Sequence, residues 1–264
     1  MATDLQFLLL GPVSARRAGT PITLGPPQRR ALLALLLLAR SQAVPVAVIR
    51  DRLWPAGAPA TAIDAIQVHV HHLRRQLREH TPAGASVPEL AGYPGHSREQ
   101  ASYALYIDAE AVDALVFQRR ADRGRELEDK GDYKGALEMC ITAQSRWRGE
   151  PLADLEPTPY VRAIRQGLVD LCQDVRTRAA RVRMRTGAVS DAVIDLQQLN
   201  LEHPGNDVIV VLLSTALFLT GSRRRALALL DEEVARWEQQ YARVPEQLLR
   251  QRERILSGAL EEEW

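Results

Sequence analysis

Apolar side chains along residues 61–80, TAIDAIQVHVHHLRRQLREH, recur at Ile63, Ile66, Val70, Leu73 and Leu77. Alternating steps of three and four trace one stripe of a helix. With about 100° between successive residues, Val68, His71, His72, Arg75 and Arg78 project from the opposite side. Thr61 and Asp64 stand where an N-cap and its N3 carboxylate would sit, which fixes the start of the helix. Upstream, PPQRRALLALLLLAR (26–40) and PVAVIRDRLWP (45–55) predict two further helices, each with Pro for its first turn. Three short helices in close succession, the third the most cationic, predict a helix-turn-helix arrangement.

Alternation takes over on either side of the trio. LQFLLL (5–10) and PITLG (21–25), separated by the polar turn Arg16-Arg17-Ala18-Gly19, predict a hairpin. SYALYID (102–108) predicts a strand with Tyr103, Leu105 and Ile107 inward. The Gly- and Pro-bearing stretch AGYPGHSREQA (91–101) suits a wing tip carrying His96 and Arg98. Strands, three helices and a final hairpin predict a winged helix over residues 1–110.

From residue 111 onward helical periodicity dominates. Gly-x-x-x-x-Ala occurs at Gly131/Ala136, Gly187/Ala192 and Gly221/Ala226, the last two 34 residues apart. That is the period of tetratricopeptide units, in which one helix pair cannot cover its own apolar face and stacks on the next. The Pro-rich GEPLADLEPTPY (149–160) reads as a loop inserted between the first two pairs. Trp237, Tyr241 and Leu248 are expected to pack inward and cap the array. The fold class is therefore mainly α: an N-terminal winged helix-turn-helix (α+β), then an all-α tetratricopeptide-like domain over 111–264.

Charge sharpens this division. Residues 1–110 carry 11 arginines, no lysine and 8 acidic residues, a net +3, and five of the six histidines. The remainder carries 23 basic and 25 acidic residues, a net −2. A cationic module joined to a slightly acidic one fits nucleic-acid binding at one end only. Cys140 and Cys172 are isolated, with no metal-type spacing, and are expected as buried free thiols. The N-terminus shows no basic signal region, and the apolar run at 32–39 is too short to span a bilayer. A cytoplasmic, nucleoid-associated protein that avoids membranes is expected.

Candidate chemistry concentrates on the third helix. Arg75 is the best base reader, because a guanidinium can bond guanine O6 and N7 together; Val68 suits a thymine methyl. Thr61, Gln67, His71, His72 and Arg78 share the DNA-facing side, while Arg74, Arg29 and Arg50 are candidates for phosphate contact. Arg98 suits a minor groove, whose negative potential draws arginine, or stands as a solvated loop residue. His69 and His72 are three apart and could touch one ion, yet no cysteine or carboxylate cluster completes a site, so no metal and no cofactor are expected. There is no Gly-rich phosphate loop, nucleophile elbow or HExxH motif, so no enzyme is expected. The alternative reading is a tetratricopeptide-like interaction scaffold whose winged helix no longer binds DNA.

Several segments resemble the Streptomyces antibiotic regulatory protein (SARP) family of transcriptional activators, of the small class. LGPPQRRALLALLLLAR from Leu24, DRLWP at 51–55 and PATAIDAIQVHVHHLRRQL from Pro59 are similar to the three helices of its OmpR-type winged helix. SYALYIDAEAVDALVF (102–117) is similar to its wing strand and first activator-domain helix, and RWRGEPLADL (146–155), LEHPG and TGSRRRAL to its bacterial transcriptional activator domain. The chain departs from the family pattern with His72 in place of Arg, Asp64 in place of Asn, Ser102 in place of Gly, and HPGND (203–207) in place of a charged HPxRE-like stretch. The resemblance implies binding to direct repeats near promoter −35 elements by two protomers side by side. It also implies contact with RNA polymerase holoenzyme through sigma, alpha and beta subunits, and activation of a secondary-metabolite (antibiotic) gene cluster.

Overall fold

The computed structural model describes residues 5–79, 88–241 and 243–260. The chain divides into two compact units. One joins the residues up to Arg119 with Ser145–Asp170; the other joins Arg120–Gln144 with the residues from Leu171 onward.

In the first unit, β1 (Leu5–Leu8), β2 (Ser14–Arg17) and β3 (Thr20–Ile22) form an antiparallel meander. The sequence predicts two strands here, with Arg16 and Arg17 in the turn. Instead both arginines are paired strand residues, and Ala18-Gly19 alone makes the turn. Their φ values of 45° and 82° are what a two-residue type I′ hairpin connection requires. Arg17 is buried, which its polarity concealed.

Helices α1 (Pro27–Leu38), α2 (Val46–Leu53) and α3 (Ala62–Glu79) follow within two residues of expectation at each end. Leu32, Leu33, Leu35, Leu36 and Leu37 of α1 supply much of the core. A second sheet has the order β4-β6-β5, with β4 (Val44–Pro45), β5 (Glu89–Tyr93) and β6 (Ser102–Tyr106) all antiparallel. Ala104 and Leu105 of β6 are buried whereas Tyr103, and Ile107 just beyond the strand, are half-buried, so the inward alternation expected here is only partly kept.

The stretch expected as an inserted loop belongs to this first unit. The Arg148 N–H donates to the Leu10 carbonyl at 2.8 Å and the Leu152 N–H to the Leu9 carbonyl at 3.1 Å. The Asp154 carboxylate accepts the Val13 N–H at 2.6 Å and pairs with Arg30 at 2.6 Å. Leu9 and Leu10 give their own N–H groups to the buried Asp113 carboxylate at 2.6 and 3.1 Å. Residues 9–13 thus satisfy a main chain that no strand partner serves.

The helix pairs of the repeat are α4 (Asp113–Asp129) with α5 (Tyr133–Gln144), α6 (Pro159–Arg185) with α7 (Val189–Glu202), and α8 (Asp207–Leu219) with α9 (Arg223–Gln240). Gly131, Gly187 and Gly221 close the first helix of each pair at φ 77°, 84° and 75°, the left-handed conformation of a helix C′ residue. Ala136, Ala192 and Ala226, five residues later, are fully buried. α10 (Glu246–Ser257) follows, and its Leu248 and Ile255 join the buried cluster, with Trp237 packed against it. Tyr241, expected inward, is 57% exposed. The helix ends at Gln240, so extended backbone at Tyr241 takes the ring out of helical phase and leaves it 4.5 Å from the Trp237 ring. Cys140 is buried and Cys172 half-buried, both free, and burial pushes each thiol up to about 11. No helix among the described residues is long and apolar enough to cross a membrane.

Candidate nucleic-acid interface

α3 buries Ala62, Ile66, Val70, Leu73 and Leu77. Ile63, expected in this stripe, is half-buried while Ala62 takes the inward place at the first turn. On the outer side, Thr61, Gln67, Val68, His71, Arg75 and Arg78 are exposed. Val68, 52% exposed, His71, Arg75 and Arg78 follow one another at steps of three, four and three, a single outward stripe. His71 and Arg78 make no hydrogen bond or ion pair with another described residue. Arg75 reaches the His72 Nδ1 at 3.4 Å and Glu79 at 3.5 Å. Both contacts are long and exposed, so the guanidinium is held loosely.

The remaining candidates are engaged within the fold. Arg74 is partly buried; its Nε donates to the Leu90 carbonyl at 2.8 Å and its guanidinium lies 5.9 Å from the Tyr103 ring centroid. A Cβ at Gly92 would come within 3.1 Å of the same guanidinium. Arg74, expected as a phosphate contact, therefore also fastens α3 to the β5–β6 hairpin. Arg98, expected to point from the wing tip, turns onto the start of α3 and pairs with Asp64 and with Gln67 Oε1, the latter at 3.0 Å. The pairing neutralises the acidic departure at position 64. Asp64 is thereby used by the wing, while the Thr61 carbonyl accepts the Ala65 N–H at 2.9 Å and opens the helix.

Arg50 bonds Asp51 at 2.9 Å and Glu99 at 2.6 Å, and these two carboxylates hold its charge more firmly than usual. Glu99 and Ala101 also accept the Ala47 and Val46 N–H groups through their carbonyls at 3.1 and 2.8 Å. The first turn of α2 thus anchors one arm of the wing. Among the expected site residues, the structure brings Asp64's partner Arg98 together with Gln67, and His72 together with Arg75.

Arg29 and His72 lie on the α1 side of α3. Arg29 is half-buried, and a Cβ on Gly25 would sit 2.5 Å from its Nη1. Burial and the charge of Arg75 push its acidity up, so that its pKa falls below the usual value. His72 is lowered by desolvation, Arg29, Arg75 and His71. His69, considered from sequence only as a metal ligand, is lowered by burial, Arg29 and His72. The helical period could have found it, since His69 falls on the flank between the buried and exposed stripes.

Comparison with known proteins agrees with this architecture. Residues 19–93 match the family described as transcriptional regulatory protein, C terminal, and residues 112–256 match the bacterial transcriptional activator domain. The chain is 30% identical to the regulatory protein AfsR of Streptomyces coelicolor over 85% of this chain and 21% of that protein. It is 26% identical to the regulatory protein DnrI of Streptomyces peucetius over 84% of this chain and 81% of that protein. A structure of Mycobacterium tuberculosis EmbR in complex with a low-affinity phosphopeptide aligns at a TM-score of 0.87 and 28% identity, covering 97% of this chain and 65% of that one. The chain thus spans about a fifth of AfsR and just under two thirds of the EmbR chain. AfsR and DnrI are named regulatory proteins, and EmbR of Mycobacterium tuberculosis a transcriptional regulatory protein. With an OmpR-type module, an activator-domain module and AfsR, DnrI and EmbR among its relatives, the chain belongs to the SARP family of transcriptional regulators.

Proposed function

We propose that this chain is a sequence-specific activator that lays the outer stripe of α3 in the major groove of promoter DNA. Two protomers bind side by side on direct repeats near a −35 element and recruit RNA polymerase holoenzyme through its sigma, alpha and beta subunits. The target is a secondary-metabolite gene cluster, and the protein acts in the cytoplasm, at the nucleoid. Labour divides at residues 110 and 111, with DNA recognition before and polymerase contact after.

The observation that carries this reading is the outward row Val68, His71, Arg75 and Arg78 on a helix whose other side is buried. Gln67 and Thr61 extend that row toward the helix start, where the positive end of the helix dipole favours phosphate. Arg75 reads guanine, Val68 a thymine methyl. Arg50, Arg74 and Arg98 act chiefly by holding α2, the wing and α3 in one geometry, because each guanidinium already has a partner.

Footprinting of the full chain on the promoters flanking its own gene tests this. Two adjacent protected repeats are expected, lost steeply as salt rises. Arg75→Ala is expected to cost about 1–3 kcal/mol of selectivity, roughly fivefold to 150-fold, while Arg125→Ala on α4, in the second unit, changes little. Holoenzyme-dependent transcription from the protected promoter tests recruitment. No protection at low salt, or Arg75→Ala behaving like Arg125→Ala, overturns the reading in favour of the scaffold.

A further inference from the structure

At one place in the first unit, guanidinium and imidazole groups gather with no carboxylate among the described residues paired to Arg29, His69 or His72. Arg29 leaves the first turn of α1, and His69 and His72 leave the flank of α3 that packs on α1. Both ring nitrogens of His69 and the Nε of Arg29 are shielded from solvent, with no hydrogen-bond partner among the described residues. Arg75 stands 3.4 Å from the His72 Nδ1, and the His71 ring meets the His72 ring edge-on at 5.9 Å.

Among the described residues, the nearby carboxylates are engaged elsewhere. From α1, Arg30 turns away to the Gly25 carbonyl and Asp154. Within α3, Glu79 is taken by Arg75, and Arg74 faces the Leu90 carbonyl. Asp64, Arg98, Glu99, Asp51 and Arg50 pair among themselves around the start of α3 and the wing. The charges that act on the two imidazoles are Arg29, Arg75 and the neighbouring histidines, all of one sign. Two guanidinium charges held beside imidazoles, one of which has both nitrogens buried and unsatisfied, carry a cost that an entering anion relieves.

We propose that Arg29, His69 and His72 form a seat for one backbone phosphodiester of the strand beside α3. Seating the phosphate draws a proton from solvent onto an imidazole nitrogen, forming an N–H that donates to a phosphate oxygen. The proposal rests on the reading that α3 lies against DNA, and deepens it by naming where the backbone is clamped. Arg75 keeps its base-reading role.

The test uses the full chain and a short fluorescein-labelled duplex of arbitrary sequence, followed by anisotropy across a salt series near pH 6 and near pH 8. Wild type is expected to bind about tenfold tighter at the lower pH, the effect of one pKa unit on one imidazole. The His69→Gln/His72→Gln double variant is expected to bind at the higher pH and lose most of that ratio, whereas His203→Gln, in the second unit, keeps it. Arg29→Ala is expected to reduce the slope of log affinity against log salt by about 0.9, one phosphate contact. NMR of the wild-type imidazole C–H signals during duplex addition needs no variant: movement of His69 and His72 to the protonated position supports the seat. Unmoved signals, an unchanged pH ratio in the double variant, or an unchanged slope in Arg29→Ala overturns it while DNA binding stands. Absence of any duplex binding by wild type overturns the DNA reading itself, and the seat with it.

Discussion

His69 carries a cost that the free protein must bear. Its imidazole is disfavoured as a cation by burial first, and by Arg29 and His72 after it. A group whose folded pKa lies below its unfolded value of 6.5 contributes stability above that value and loses it as pH falls through the folded one. DNA-free protein is therefore expected to melt at progressively lower temperature as pH drops below about 6.5. His69→Gln, which cannot charge, is expected to show a shallower decline in the same calorimetric series. Parallel curves for the two proteins would mean that His69 does not titrate in the fold. The sign reverses for DNA affinity, since an entering phosphate favours the protonated ring. Of the residues at this interface, the exposed stripe Val68, His71, Arg75, Arg78 was legible from periodicity alone. The engagements of Arg74, Arg98 and Arg50 were not, because each partner lies on another element and no local pattern marks it.

Helix pairs in the second unit depend on one residue type at each turn. Gly187 sits at φ 84° with open space around a would-be Cβ, so any side chain there is strained by backbone alone. Gly187→Ala is expected to cost about 1 kcal/mol, read as a fall of a few degrees in the thermal midpoint. Ala192, five residues on, is limited by contact instead: it is fully buried, and Ala192→Leu should cost about 1–3 kcal/mol by overpacking. Should Ala192→Leu prove milder than Gly187→Ala, the close approach of α7 would not be what the alanine secures. Sequence displayed these pairs well, because Gly and Ala recur at fixed offsets in three places. It displayed the small strands poorly. β2 holds two arginines, and β4 is two residues long, so neither offers enough alternation to be seen. Both are strands only because β1, β3 and β6 supply their hydrogen bonds.

On the scale of the whole molecule, the first unit is discontinuous, and Asp113 is where its pieces join. The carboxylate accepts from Leu9, Leu10 and Ala114 at 2.6, 3.1 and 2.7 Å and lies 3.6 Å from Arg148. Burial pushes its pKa up, and the three N–H donors and Arg148 oppose that shift. Around it, Arg148 and Leu152 complete the main chain of Leu9 and Leu10, Asp154 serves Val13, and the Trp147 ring meets Phe117 edge-on at 5.5 Å. RWRGEPLADL is thus a structural clasp on the strand end of the winged-helix module; sequence marked it by family resemblance and placed part of it in a loop, but could not show its main-chain partners at Leu9, Leu10 and Val13, more than a hundred residues away. A fragment ending at residue 110 leaves the buried N–H groups of Leu9, Leu10 and Val13 without acceptors. Each such orphan costs about 1–3 kcal/mol, which together rival the 5–15 kcal/mol that typically holds a domain folded. The fragment is therefore expected to show no cooperative thermal transition, and full-length Asp113→Ala to lose several degrees and DNA affinity together. Asp113→Asn, which keeps one acceptor oxygen, should fall between wild type and Asp113→Ala. A fragment ending at residue 110 that melts cooperatively near the full-length midpoint, with Asp113→Ala within about 0.5 kcal/mol of wild type, would show that the winged helix stands without its clasp.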